Sequence, residues 1–111
     1  MEPIQNLLYN SFGFYGANAE LIEVTCKAFE IELDETDVSD AYKNAKNYYD
    51  FADCLVKVMF KKAIDRVLDF YEDNADELKN LFTYDNSSIR FEGKRVYSLN
   101  EAFERVDIYL I

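Results

Sequence analysis

The sequence predicts one predominantly helical α+β domain over residues 1–111, with a long central helix, shorter packed helices and one small C-terminal β-hairpin. Apolar residues recur at gaps of three and four along most of the chain, which indicates helices. A short segment near the C-terminus alternates around a glycine, which indicates a hairpin. The length of 111 residues leaves little room for a second hydrophobic core, and a hydrophobic content of 50% is too high for a disordered chain.

Two helices are expected before the central one. Pro3 fits the first turn of a short helix that Gly13 and Gly16 end, because proline has no amide hydrogen to lose there. Asn18 is predicted to cap a second helix, whose buried positions are Ile22, Cys26, Phe29 and Leu33. The end of that segment also alternates as a strand would. Residues 19–33 therefore remain open between helix and strand, and their glutamates favour helix.

A long central helix is predicted from Val38 to Tyr71. One apolar stripe follows alternating gaps of three and four for about three heptads, and it includes Tyr49, Ala52, Val56, Met59 and Ala63. The middle of the helix is apolar on nearly every face, so other elements are expected to pack on both sides. The stripe is either filled by this chain or forms the seam of a homodimer.

The C-terminal third is predicted to contain a short helix followed by a hairpin. Asn74 and Glu77 are placed to cap a helix that continues to Phe82. Residues 88–97 alternate around Gly93, which can take the positive φ that a tight hairpin turn requires.

A last helix is predicted to follow the hairpin. Ser98 and Glu101 match the S-x-x-E capping box. The predicted buried stripe of this helix is Leu99, Ala102, Phe103, Val106 and either Tyr109 or Leu110. A two-stranded hairpin is marginal alone, so the hairpin is expected to pack on helices or to pair with another strand.

The two cysteines indicate reduced core thiols. Cys26 and Cys54 lie in apolar stretches without CxxC spacing, and the chain has no histidine to complete a zinc site. No apolar run approaches the roughly 20 residues of a membrane span, and the first residues do not have the pattern of a signal peptide. A cytoplasmic protein without a membrane partner is expected.

The negative charge is concentrated in two segments. The net charge of -10 on the whole chain arises mainly from residues 1–40, which carry -8, and residues 71–85, which carry -4. Residues 41–70 carry +2, with a small basic set at Lys57, Lys61, Lys62 and Arg66. We expect this basic set to pair with the acidic segments, within the chain or between subunits, because the field of the whole molecule opposes binding to nucleic acid.

Most enzymatic and metal chemistry is excluded. Histidine, the usual general acid or base, is absent, and the crowded carboxylates stand near predicted helix starts, where they stabilise the helix dipole. The segment 34–40 lacks the D-x-D-x-D-G order of a calcium loop. We therefore expect no enzyme activity, no metal and no cofactor.

The remaining expectation is a small acidic protein-binding module, an inhibitor that occupies a basic nucleic-acid-binding surface of a partner protein. Acids on successive helical turns lie about 5.4 Å apart along the axis, which is of the same order as the spacing of phosphates. Small phage-encoded proteins that disarm host defence nucleases, anti-CRISPR proteins among them, are compatible in composition. The residues expected to contact the partner are Glu30, Glu32, Asp34, Glu35, Asp37, Asp40, Glu72, Asp73, Asp76 and Glu77.

The alternative is a helical homo-oligomeric scaffold or regulatory subunit, in which the acidity only keeps the protein in solution. The two hypotheses differ in the role of the apolar stripe and of the acids. If the acids bind a partner, exchange of Asp34 and Asp37 for lysine is expected to weaken that binding and to leave the fold intact.

Overall fold

A computed structural model describes residues 17–85 and 88–111, without the side chains of residues 17–19 and 48–49. It confirms a predominantly helical fold with a long central helix and a small C-terminal sheet. The elements in chain order are α1 (Ala17–Phe29), α2 (Glu35–Asn44), α3 (Tyr48–Leu68), a 3₁₀ helix (Asp69–Asn74), α4 (Ala75–Lys79), β1 (Phe82–Tyr84), β2 (Ile89–Phe91), β3 (Lys94–Val96) and α5 (Leu99–Leu110). The predicted helix after Pro3 and the glycines that end it lie outside the described residues.

Helix α1 settles the choice between helix and strand. Its residues are helical to Phe29, and Asn18, the predicted cap, lies inside the helix. Glu30 follows in the left-handed region at φ 53°. The amides of Glu30 and Ile31 donate to the carbonyl oxygens of Lys27 and Cys26 at 3.4 and 3.0 Å, which is the Schellman arrangement. The chain therefore leaves the helix before Leu33, which is buried but not helical.

The predicted helix from Val38 to Tyr71 is wrong in its bounds, because the structure divides this segment at residues 45–47. Ala45 is extended, and the side chain of Asn47 accepts a hydrogen bond from the amide of Asp50 at 3.0 Å. Asparagine competes for backbone amides in this way and favours helix starts. The apolar periodicity continues across the break, which is why it did not reveal the break.

The region after α3 also differs from the prediction. Tyr71 interrupts the 3₁₀ helix with φ -118° and ψ 53°. The side chain of Asn74 makes no capping hydrogen bond, and α4 ends at Lys79. Phe82 begins β1 because its ring packs on Phe91 across the strand pair, with ring centroids 4.8 Å apart. Such cross-strand pairs outweigh the local helix preference.

The sheet is antiparallel with strand order β1-β2-β3. The predicted hairpin corresponds to β2 and β3, and β1 is an additional strand. Glu92 and Gly93 both have positive φ, at 52° and 79°, as a two-residue type I′ turn requires. Phe91 and Ile89 face the core, whereas Arg90 lies on the outer face between them.

One hydrophobic core joins all of these elements, and α3 passes through it. Helix α3 contacts α1, α2, α4, α5 and β1, which explains why its middle is apolar on nearly every face. Its most deeply buried side chains are Leu55, Met59, Ala63 and Val67. Cys26 and Cys54 are thiols without a disulfide bond, as predicted, but they are only partly buried and pack against the core rather than inside it.

Candidate functional site

Two of the predicted partner-binding acids form the start of α2. The carboxylate of Asp34 accepts a hydrogen bond from the amide of Asp37, and the carboxylate of Asp37 accepts one from the amide of Asp34, both at 2.9 Å. This is a complete capping box, which satisfies amides that the helix itself leaves free. The backbone hydrogen bond from Asp37, assisted by the charge of Lys62, lowers the pKa of Asp34 below its usual value.

Lys62 joins this capping box to α3. Its Nζ atom lies 2.6 Å from Oδ2 of Asp37 and 3.8 Å from Oδ2 of Asp34. The side chain of Asp37 is only 18% exposed, so this contact is partly shielded from water. Burial acts to lower the pKa of Lys62, but the hydrogen bond and charge of Asp37 outweigh it, and the pKa is raised. Asp34 and Asp37 therefore hold α2 against α3.

The stability of the protein is expected to fall with acid in a way that depends on Asp34. Because the pKa of Asp34 in the folded protein is below 3.8, its contribution is present above that pH and is lost as the pH falls through the lowered pKa. Asp34→Asn keeps a capping oxygen but does not titrate there. Thermal unfolding followed by circular dichroism from pH 7 to pH 2 should show a shallower loss in the variant. An equal fall of the unfolding midpoint with pH in the wild type and in Asp34→Asn would contradict this role of Asp34.

Four predicted partner-binding acids before and within α2 remain available: Glu30, Glu32, Glu35 and Asp40. We call them the acidic edge. All four are exposed. Within the described residues, their carboxylates form no hydrogen bond or ion pair with other side chains. They are therefore free to contact a partner without breaking contacts inside the protein.

The second acidic segment is divided in the same way. Glu72, Asp73 and Asp76 are exposed. Glu77 accepts a hydrogen bond from the hydroxyl of Tyr109 at 2.6 Å, and this bond raises the pKa of Tyr109. Glu77 therefore connects α4 to the end of α5, whereas the other three acids face solvent.

Helix α3 connects the two acidic segments along the chain. Lys62, which holds the start of α2, precedes Asp69 by seven residues, or about 10 Å along a helix axis. Asp69 begins the 3₁₀ helix that leads into the second segment. The start of α2 and the start of the second acidic segment are thus both attached to the C-terminal half of α3.

The apolar stripe is filled largely by the chain itself. Val56, Met59 and Ala63 are buried in the core, and Ala52 packs against it. Tyr49 belongs to α3, but its side chain lies outside the described part of the structure. The stripe is thus occupied without a second copy, and the homodimer stays a prediction.

An aromatic cluster beside the second acidic segment was not predicted. Phe70, Tyr71 and Phe103 lie within ring contact of one another. The hydroxyl of Tyr71 donates to Asp107 at 2.7 Å, and burial together with this carboxylate raises its pKa. Phe103 and Asp107 are four residues apart on α5 and share one face, which is the only sequence signal for this contact.

Other kinds of site find little support among the described segments. These segments hold no group of three or more side chains suited to a metal ion. A pocket of about 210 Å³ is lined by Phe91, Glu92, Lys94, Arg105 and Ile108, a set with no nucleophile paired to a base. None of the described helices has the length and apolar character needed to cross a membrane.

Comparisons with known proteins identify no relative of this chain. No protein-family model matches this chain, and neither curated proteins nor solved structures give a match. The function is therefore inferred from the residues themselves.

Proposed function

We propose that this protein is a small acidic inhibitor that occupies a basic nucleic-acid-binding surface of a partner protein. The observation that carries the proposal is the acidic edge, whose four carboxylates are exposed and have no side-chain partner within the described residues. Glu72, Asp73 and Asp76 of the second acidic segment are exposed as well. Phage-encoded inhibitors of defence nucleases, such as anti-CRISPR proteins, are the class of protein that this surface suits.

Electrostatics explains why such a surface would compete with nucleic acid. A groove lined with lysine and arginine attracts negative charge and recognises little else of a phosphate backbone. A net charge of -10 steers the protein toward that groove at a distance, and the carboxylates then accept hydrogen bonds from the basic side chains. Acids that are already bonded inside the chain, Asp34, Asp37 and Glu77, contribute charge but fewer direct contacts.

The conformation of Glu30 supports the same proposal. A residue that ends a helix in the left-handed region is usually glycine, because a side chain is strained there. This chain has an exposed glutamate at that position, with φ 53°. A strained residue that adds charge to the surface is consistent with a role in binding.

The proposal predicts salt-sensitive capture of a particular class of protein. The immobilised protein, exposed to a lysate of a host cell, should retain basic nucleic-acid-binding proteins and release them as salt is raised from about 0.1 to 1 M, because screening shortens the reach of the charges. Added duplex DNA should displace the same proteins. Glu32→Lys combined with Asp40→Lys should retain much less of them.

Two controls separate binding from folding. Glu30→Gly removes one carboxylate and also relieves the strained backbone. The variant should be more stable than the wild type by about 1 kcal/mol and unfold at a higher temperature. It should nevertheless capture less of the basic proteins. The protein alone should not shift duplex DNA in a gel at physiological salt. The proposed function would be ruled out if neither salt nor added DNA reduced the capture, or if the protein itself bound duplex DNA tightly.

A further inference from the structure

Phe70 is an exposed aromatic side chain that the fold holds in place. It is 68% exposed although it makes two ring contacts. Its ring centroid lies 5.2 Å from that of Tyr71 and 4.8 Å from that of Phe103. The ring of Phe70 therefore packs against two neighbouring rings, while much of its surface remains in contact with water.

The backbone and a hydrogen bond explain this orientation. Tyr71 leaves helical geometry, with φ -118° and ψ 53°, so that Phe70 and Tyr71 do not follow a regular helix. The hydroxyl of Tyr71 is fixed on α5 by Asp107 at 2.7 Å and by the carbonyl oxygen of Phe103 at 3.3 Å. Because Tyr71 is anchored, its neighbour Phe70 is presented in a defined position before any partner binds, which lowers the entropy cost of binding.

The surroundings of Phe70 are acidic. Residues 69–77 contain five acids and no base. Asp69 and Asp73 are exposed within three residues of Phe70, and Asp107 lies on the neighbouring helix. The nearest base in sequence is Arg66, one helical turn earlier. An exposed ring in such an acidic stretch of the chain complements the planar, positively charged side chain of arginine.

We propose that Phe70 is a platform for an arginine side chain of the basic partner protein. A guanidinium group can stack on the face of the ring while its N–H groups donate to the neighbouring carboxylates, whereas a lysine ammonium offers only a point charge. A guanidinium group lies over an aromatic ring elsewhere in the chain, because the guanidinium carbon of Arg95 is 4.9 Å from the ring centroid of Tyr97. The platform rests on the proposed function and specifies which side chain of the partner it recognises.

The test compares two peptides of equal charge, nona-arginine and nona-lysine, whose affinities for the purified full-length protein are measured by calorimetry. We expect the wild type to bind nona-arginine roughly two- to fivefold more tightly than nona-lysine, which is the size of an exposed cation–π contact. Phe70→Leu should reduce this ratio to about one, because it keeps an apolar side chain but removes the ring. Tyr97→Leu is the matched control, since that ring already carries an intramolecular arginine, and it should keep the ratio.

A second variant keeps the platform testable if Phe70→Leu does not fold. Phe70→Trp retains an aromatic face and introduces the only tryptophan of the chain, so its fluorescence reports on this position alone. Nona-arginine should change that fluorescence at lower concentration than nona-lysine does. Equal affinities of the wild type for both peptides, or a ratio that Phe70→Leu leaves unchanged, would overturn the platform.

Two further outcomes keep the platform distinct from the proposed function. If the wild type sediments as a dimer that Phe70→Leu dissociates, the ring is covered by a second copy and the platform is overturned. The wild type could bind nona-arginine and nona-lysine equally well while Glu32→Lys with Asp40→Lys still abolishes salt-sensitive capture. The platform would then be overturned, and the proposed inhibitor function would stand. An absence of salt-sensitive capture by the wild type would instead refute the proposed inhibitor function.

Discussion

Val56→Asp is expected to unfold the domain rather than to dissociate an oligomer. Val56 is buried in the core of a single chain, so the new carboxylate would have to lose its water without gaining a partner. Either the ionised form is buried or the group takes up a proton with a raised pKa, and both routes cost free energy. We expect a loss of roughly 4 kcal/mol or more, a large part of the total stability of about 5–15 kcal/mol of a typical domain.

The matched control for this variant is Val24→Asp. It makes the same chemical change in a helix, but Val24 is exposed on α1 and its replacement leaves the core intact. Circular dichroism and sedimentation should show a folded Val24→Asp protein and an unfolded or strongly destabilised Val56→Asp protein. A folded monomer after Val56→Asp, obtained from a dimeric wild type, would show that the stripe is a seam after all.

Periodicity was sufficient to predict the central helix but not its start. The recurrence of apolar residues reports which face of a helix is buried, and that face continues from Ala41 into α3. The break at residues 45–47 depends on single hydrogen bonds, such as the one that Asn47 accepts, and these leave no mark on the periodicity. Phe82 was assigned to a helix for a related reason, since its pairing with Phe91 is a contact between distant residues.

The acidic composition of the site could be predicted, but the roles of individual acids could not. Asp34 and Asp40 have the same chemistry in the sequence, yet one caps α2 and lies near Lys62 while the other is exposed without a side-chain partner among the described residues. The difference arises from how α2 packs on α3. Phe70 was missed for the same reason, because apolar side chains are expected in the core and nothing local indicates that this ring is turned outward.

The packing of α2 on α3 reverses one expectation about charge exchange. Asp34→Lys combined with Asp37→Lys was expected to leave the fold intact. The structure instead indicates that the pair would lose both hydrogen bonds of the capping box and the 2.6 Å contact with Lys62. It would also place two new positive charges beside Lys62, whose side chain is only 33% exposed.

We therefore expect Asp34→Lys with Asp37→Lys to lower the midpoint of thermal unfolding by about 10 °C or more, since each kcal/mol corresponds to several degrees in a domain of this size. Glu32→Lys with Asp40→Lys is the matched control, because it makes the same change in net charge at exposed acids with no side-chain partner within the described residues. That control should unfold within a few degrees of the wild type. Equal midpoints for the two double variants would mean that Lys62 does not hold α2 against α3, and that Asp34 and Asp37 belong with the acidic edge.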